Sequence, residues 1–79
     1  MDKQNALAKI QSECERLQSL NENYEANVLR IDQIFNAARG YLNCLYDFDV
    51  ITPAEFGDLS TKLVISAYPV DGYMLEPTA

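Results

Sequence analysis

Few side chains in this chain could do chemistry. It has no histidine, two cysteines (Cys14 and Cys44) and twelve carboxylates against six Lys and Arg. Without histidine, the usual pairing of a nucleophile with an imidazole base cannot be assembled. Glu13 with Glu15, and Asp47 with Asp49, are carboxylate pairs of the type that serves general acid–base work. Their spacing sets neither pair across a substrate, and a solvated face accounts for both. Asp47, Asp49, Glu55 and Asp58 are hard oxygen ligands suited to Ca²⁺ or Mg²⁺. They lack the spacing and the turn glycine of an EF-hand, so no metal is assigned. Two cysteines without histidine do not complete a four-ligand zinc site in one chain, nor do they form a secreted disulfide framework. The chemistry available is that of a non-enzymatic protein with no cofactor.

Charge narrows the partners. The formal net charge is -6, with a pI near 4.3. Binding to a phosphate backbone needs clustered Lys and Arg. Here Arg16, Arg30, Arg39 and the lysines are scattered among acids, so direct nucleic-acid binding is not expected. Residues 1–46 are near balance at -1, whereas residues 47–79 hold six acids against Lys62 alone. That acidic third also carries aromatic residues. Asp47, Phe48, Asp49, Asp58, Tyr68 and Tyr73 therefore form a candidate surface for a protein partner with a basic face. No apolar run is long enough to span a bilayer, and the first residues lead into no signal-peptide core, so a cytoplasmic location is expected.

These groups must be positioned by helices. In sevens, Leu7, Cys14, Asn21, Val28, Phe35 and Leu42 share one position, and Ile10, Leu17, Tyr24, Ile31, Ala38 and Leu45 share another three residues on. This is the pattern of a helix burying one seam against another helix. The phase crosses Ser19-Leu20-Asn21-Glu22-Asn23 without a slip, and no Gly or Pro interrupts it. The expectation is one continuous helix over about 6–46, about 58 Å long at 1.5 Å per residue. The oligomer seam would comprise Leu7, Ile10, Cys14, Leu17, Asn21, Tyr24, Val28, Ile31 and Phe35. Asn21, the polar member, would set register or mark a loop or a local opening, and a helix that folds back near 19–23 would instead give a compact three-helix monomer. Leu20, Ile34 and Tyr41 widen the stripe toward bundle packing. Gly40, inside the pattern, either permits close helix approach or is neutral.

After a loop at 47–51, a second helix over about 53–67 has a full set of start signals. Thr52 is the N-cap, Pro53 takes the first helical position, and Glu55 closes a capping box. Ile51 and Phe56 stand where a hydrophobic staple needs them. Phe56, Leu59, Leu63 and Ala67 form its apolar face. Tyr68-Pro69 ends it, and an irregular tail over 68–79 follows, with a turn signal at Asp71-Gly72. Leu42, Leu45, Val50, Ile51, Thr52, Glu55, Phe56, Leu59, Lys62 and Leu63 read L-x-x-L-x(4)-V-I-T-x-x-E-F-x-x-L-x-x-K-L. This resembles the short C-terminal helical hairpin family known as SHOCT, over about a third of the chain by that span. That family carries Gly before the hydrophobic pair, where this chain has Asp49. The resemblance implies two paired helices and oligomerisation, with no catalytic residues.

The chain thus reads as a single all-α domain over 1–79. Its long N-terminal helix carries a heptad seam, and a shorter second helix completes a helical hairpin. The expected assembly is a homodimeric coiled coil or bundle. The expected function is a small protein-interaction module or regulator acting as that dimer. The alternative is an inhibitor of the kind phages or plasmids encode, which blocks a basic, nucleic-acid-binding site on its target.

Overall fold

The computed structural model describes residues 2–68, and among them all regular structure is helical. Helix α1 spans Lys3–Asn21, α2 spans Tyr24–Asp47 and α3 spans Pro53–Ala67. Each packs on both of the others. The N-termini of α1 and α3 are joined by a Lys3–Glu55 ion pair at 2.9 Å. Midway, the Lys62 ammonium donates to the Gln11 side-chain carbonyl. At the C-terminal ends, Gln18 donates to the Ser66 hydroxyl at 3.2 Å and Asn21 to the Ser66 carbonyl at 3.3 Å. Helices α1 and α3 therefore run parallel, and α2 returns antiparallel to both.

The continuous helix expected over 6–46 is corrected by this arrangement. Its length of about 58 Å at 1.5 Å per residue exceeds the 36 Å long axis of the molecule. The chain reverses at Glu22–Asn23, where Asn23 leaves helical geometry at φ -131°, ψ 64°. Backbone hydrogen bonds and the Asn27 side chain make this corner without Gly or Pro. The Asn23 backbone N–H donates to the Leu20 carbonyl at 3.1 Å. The Asn27 amide donates to the carbonyls of Leu20 at 3.1 Å and Asn23 at 3.0 Å. The last carbonyls of a helix lack intrahelical partners, and Asn27, in the first turn of α2, adds a side-chain donor to that of Leu20 at the end of α1.

The seam phase survives the reversal for a simple reason. Asn21 and Tyr24 are three residues apart, and a tight corner needs the residues on both its sides to face inward, as a straight helix does. Ile10, Cys14, Leu17 and Ile31 are fully buried within the single chain, with Ala38, Leu42 and Leu45. Leu7, Tyr24 and Phe35 pack partly buried against that core, and Asn21 and Val28 are half-buried. The periodicity thus picks out buried positions, but their cover is α3 and the folded-back half of the same sequence. Asn21 has a partner of its own in the Ser66 carbonyl. A Cβ added at Gly40 would meet nothing within 4 Å, so close helix approach is not its role.

Helix α3 starts as its signals require. The Glu55 N–H donates to Thr52 Oγ1 at 3.1 Å, and the Thr52 N–H donates to Glu55 Oε1 at 2.8 Å. Ile51 is buried and Phe56 packs against the core, the two ends of the staple. The helix ends at Tyr68, whose extended backbone (φ -123°, ψ 152°) is the geometry a following proline imposes. The turn signal at Asp71-Gly72 lies outside the described residues.

Candidate functional site

The turn between α2 and α3 carries the exposed part of the expected partner surface. Helix α2 ends in a Schellman motif. The Asp49 N–H donates to the Tyr46 carbonyl at 3.1 Å, and the Val50 N–H donates to the Leu45 carbonyl at 2.8 Å. This geometry demands a left-handed residue after the cap, and Asp49 takes it at φ 60°. Glycine is the residue that adopts that conformation without strain, and aspartate is among the few others that do so at modest cost. Val50 and Ile51 then turn into the core.

Anchoring Val50 and Ile51 inward leaves Phe48 outward. Its ring is 74% exposed, second only to Leu29 at 77% among the large apolar residues that stand out. Asp47 and Asp49, on either side, are exposed and make no ion pair among the described residues. Tyr46, one residue further back, is 38% exposed and stacks on Phe56, with centroids 4.6 Å apart and planes at 29°. Below Phe48 is a hollow lined by Lys3, Cys44, Phe48, Asp49 and Val50. Lys3 is already committed to Glu55. The Thr52 backbone N–H, and then Lys3, hold the Glu55 carboxyl below the usual carboxylate value. The corner therefore presents an unpartnered aromatic ring framed by two carboxylates.

The other expected surface residues separate. Asp58 is exposed on α3. Tyr68 is partly buried, and its hydroxyl donates to Asp32 Oδ1 at 2.8 Å. Its ring meets Phe35 edge-on at 5.1 Å and Tyr24 at 6.1 Å. Burial, and then the hydrogen bond to Asp32 and its charge, push the Tyr68 phenol up to about 12. Tyr73 lies outside the described residues. Tyr46 was not singled out by the sequence reading. Its signal was an aromatic one position past the seam residue Leu45, at the end of a helix with no further turn to cover it.

Among the described residues, no three His, Cys, Asp or Glu side chains gather as a metal site, and no helix is long and apolar enough to cross a membrane. Asp47, Asp49, Glu55 and Asp58 therefore do not converge. Cys14 is buried and Cys44 half-buried, both as free thiols. No protein-family model, curated protein or solved structure matches the chain.

Proposed function

We propose that the chain is a non-enzymatic protein-interaction module that binds a partner through the α2–α3 turn. Phe48 is the apolar anchor, and Asp47 and Asp49 select a basic rim around the pocket that receives it. The observation carrying this reading is the exposed ring of Phe48 in a turn whose neighbours Val50 and Ile51 are drawn into the core. A small domain has few aromatics to spare from its interior. An exposed ring between unpaired acids is the composition of an interface hot spot with a charged border.

Homodimerisation through the heptad seam is not part of the proposal, because Ile10, Cys14, Leu17 and Ile31 have no surface left to offer a second copy. A contact between two closed copies would have to use exposed residues such as Leu29 or Phe48. The inhibitor reading is a narrower case in which the partner's basic rim is its nucleic-acid site. Competition by a short duplex separates it from the broader one.

A photoreactive phenylalanine analogue at position 48, introduced into the full chain in its native cells, tests the proposal. The partner it captures should bind the purified wild-type chain, and Phe48→Ala should weaken that binding by about tenfold or more, the scale of an anchor residue. Asp47→Asn with Asp49→Asn should lower the association rate and its salt dependence. Thermal stability should not change with Phe48→Ala, since an exposed ring contributes little to the core. Binding that is indifferent to Phe48, or capture only by a probe at Leu29, would remove the turn from consideration.

A further inference from the structure

Phe48 is also the last member of a stripe. Ile34, Ala37, Tyr41, Cys44 and Phe48 recur at three- and four-residue steps along α2 and its C-cap, so they share one side of the helix. The stripe is incompletely covered: Ala37 and Phe48 are exposed, and Ile34, Tyr41 and Cys44 are half-buried. Along its first half lies a hollow of about 440 Å³, with Ile34, Ala37 and Tyr41 on the α2 side and Lys9, Glu13 and Arg16 on the α1 side. A hollow of that size can take a ligand-sized group.

The two ends of this face differ in charge. Arg16 is exposed at the Ile34 end and makes no ion pair among the described residues. Asp47 and Asp49 flank Phe48 at the other end, also without an ion pair among those residues. Between them, Lys9 meets Glu13 at 3.8 Å and lies 5.4 Å from the centre of the Tyr41 ring. One end is therefore a hollow with a cation at its border, and the other is a ring bordered by two acids.

The spacing fits this face to a copy of itself. Ile34, Tyr41 and Phe48 are successive sevenths, so Tyr41 is the midpoint, and the two ends stand about 21 Å apart at 1.5 Å per residue. A twofold axis at Tyr41 turns the stripe end for end. It lays Phe48 of each copy over the hollow beside Ile34 and Ala37 of the other, and it brings Asp47 and Asp49 to Arg16. The same contacts form twice, so the pair closes. Lys3, Lys9 and Arg16 balance Glu13, Asp47 and Asp49 on this face, so the net charge of -6 is carried elsewhere.

Taking the Phe48 turn as an interaction surface, we infer that its partner is a second copy of this chain. The two pair antiparallel through their α1–α2 faces, each seating its Phe48 in the other's hollow. Ile10, Cys14, Leu17 and Ile31 stay buried inside each copy.

The test uses the full chain. Sedimentation equilibrium should show monomer passing to dimer as concentration rises, with no larger species. Phe48→Ala and Arg16→Glu should each raise the dissociation constant about tenfold or more. Adding Asp47→Lys and Asp49→Asn to Arg16→Glu should recover the pairing, because the charges are then exchanged across the contact. All four side chains are exposed, so these variants leave the core in place. A benzophenone side chain at position 48, in a mixture of isotope-labelled and unlabelled chains, should cross-link to residues 34–37 of the other isotope. Monomer mass at every concentration up to about 1 mM would overturn the inference. So would a dimer indifferent to both Phe48 and Arg16, or cross-links that land on α3. If the probe at position 48 captures a different protein while the pure chain stays monomeric, the turn stands as an interaction surface and only the self-pairing falls.

Discussion

At the scale of single residues, Asp49 and Tyr68 carry the clearest consequences. Asp49 occupies a left-handed position at φ 60°, where a side chain is disfavoured. Asp49→Gly should raise stability by about 0.5–1 kcal/mol in a urea titration, while removing one of the two carboxylates beside Phe48. A stabilised variant with weakened partner binding would show that the aspartate is kept for recognition rather than for the fold. Tyr68 gives a pH effect of definite sign. Its phenol is pushed up to about 12 in the folded chain by burial and by Asp32, against about 10 when unfolded. The folded state therefore holds its proton longer. The stability contributed is complete below about pH 10 and is lost as pH rises toward 12. Tyrosinate absorbance should show a late step as pH rises toward 12, and Tyr68→Phe should abolish it.

At the scale of elements, the second helix was legible and the first was not. Thr52, Pro53 and Glu55 specify a helix start through contacts within four residues, so local chemistry determines the result. The corner at Glu22–Asn23 is different. Leu20, Asn23 and Asn27 close it with hydrogen bonds, but an asparagine is also compatible with a helix interior, and the heptad phase fits both paths. What decides between them is the cover that α3 provides, a long-range effect that no local pattern reports. Asn27→Ala removes both side-chain bonds at the corner. It should lower stability by about 1–2 kcal/mol despite alanine's better helix propensity. A neutral or stabilising result by chemical denaturation would show that the backbone alone holds the turn. The candidate site was legible in part. Asp47, Phe48 and Asp49 are neighbours in sequence and so share a surface. The contacts of Tyr68 with Asp32, Phe35 and Tyr24 were not legible, because an aromatic at a helix end reads the same whether it meets solvent or neighbouring helices.

At the scale of the whole molecule, the three described helices form one core with no second layer, and every large seam residue except Val28 is used in closing it. The thiols report on that closure. Cys14 is fully buried and Cys44 only partly so. Native protein should label at Cys44 with an exposed-thiol reagent, and Cys14 should react only at the rate at which the bundle opens globally. Rapid labelling of Cys14 without denaturant would mean that α1 detaches from α2 and α3 as a separate unit.

The corner at Glu22–Asn23 has one more consequence. Its backbone angles are all negative in φ, so straightening it into continuous helix meets no steric barrier peculiar to a turn. A straightened chain would extend α1 away from its own α2 and α3 and leave the same seam bare. A second straightened copy could cover that seam with identical contacts, each molecule lending its first helix to the other. Closed monomer and exchanged pair would then share one core and differ only at two residues, so the balance between them would follow concentration rather than new interactions.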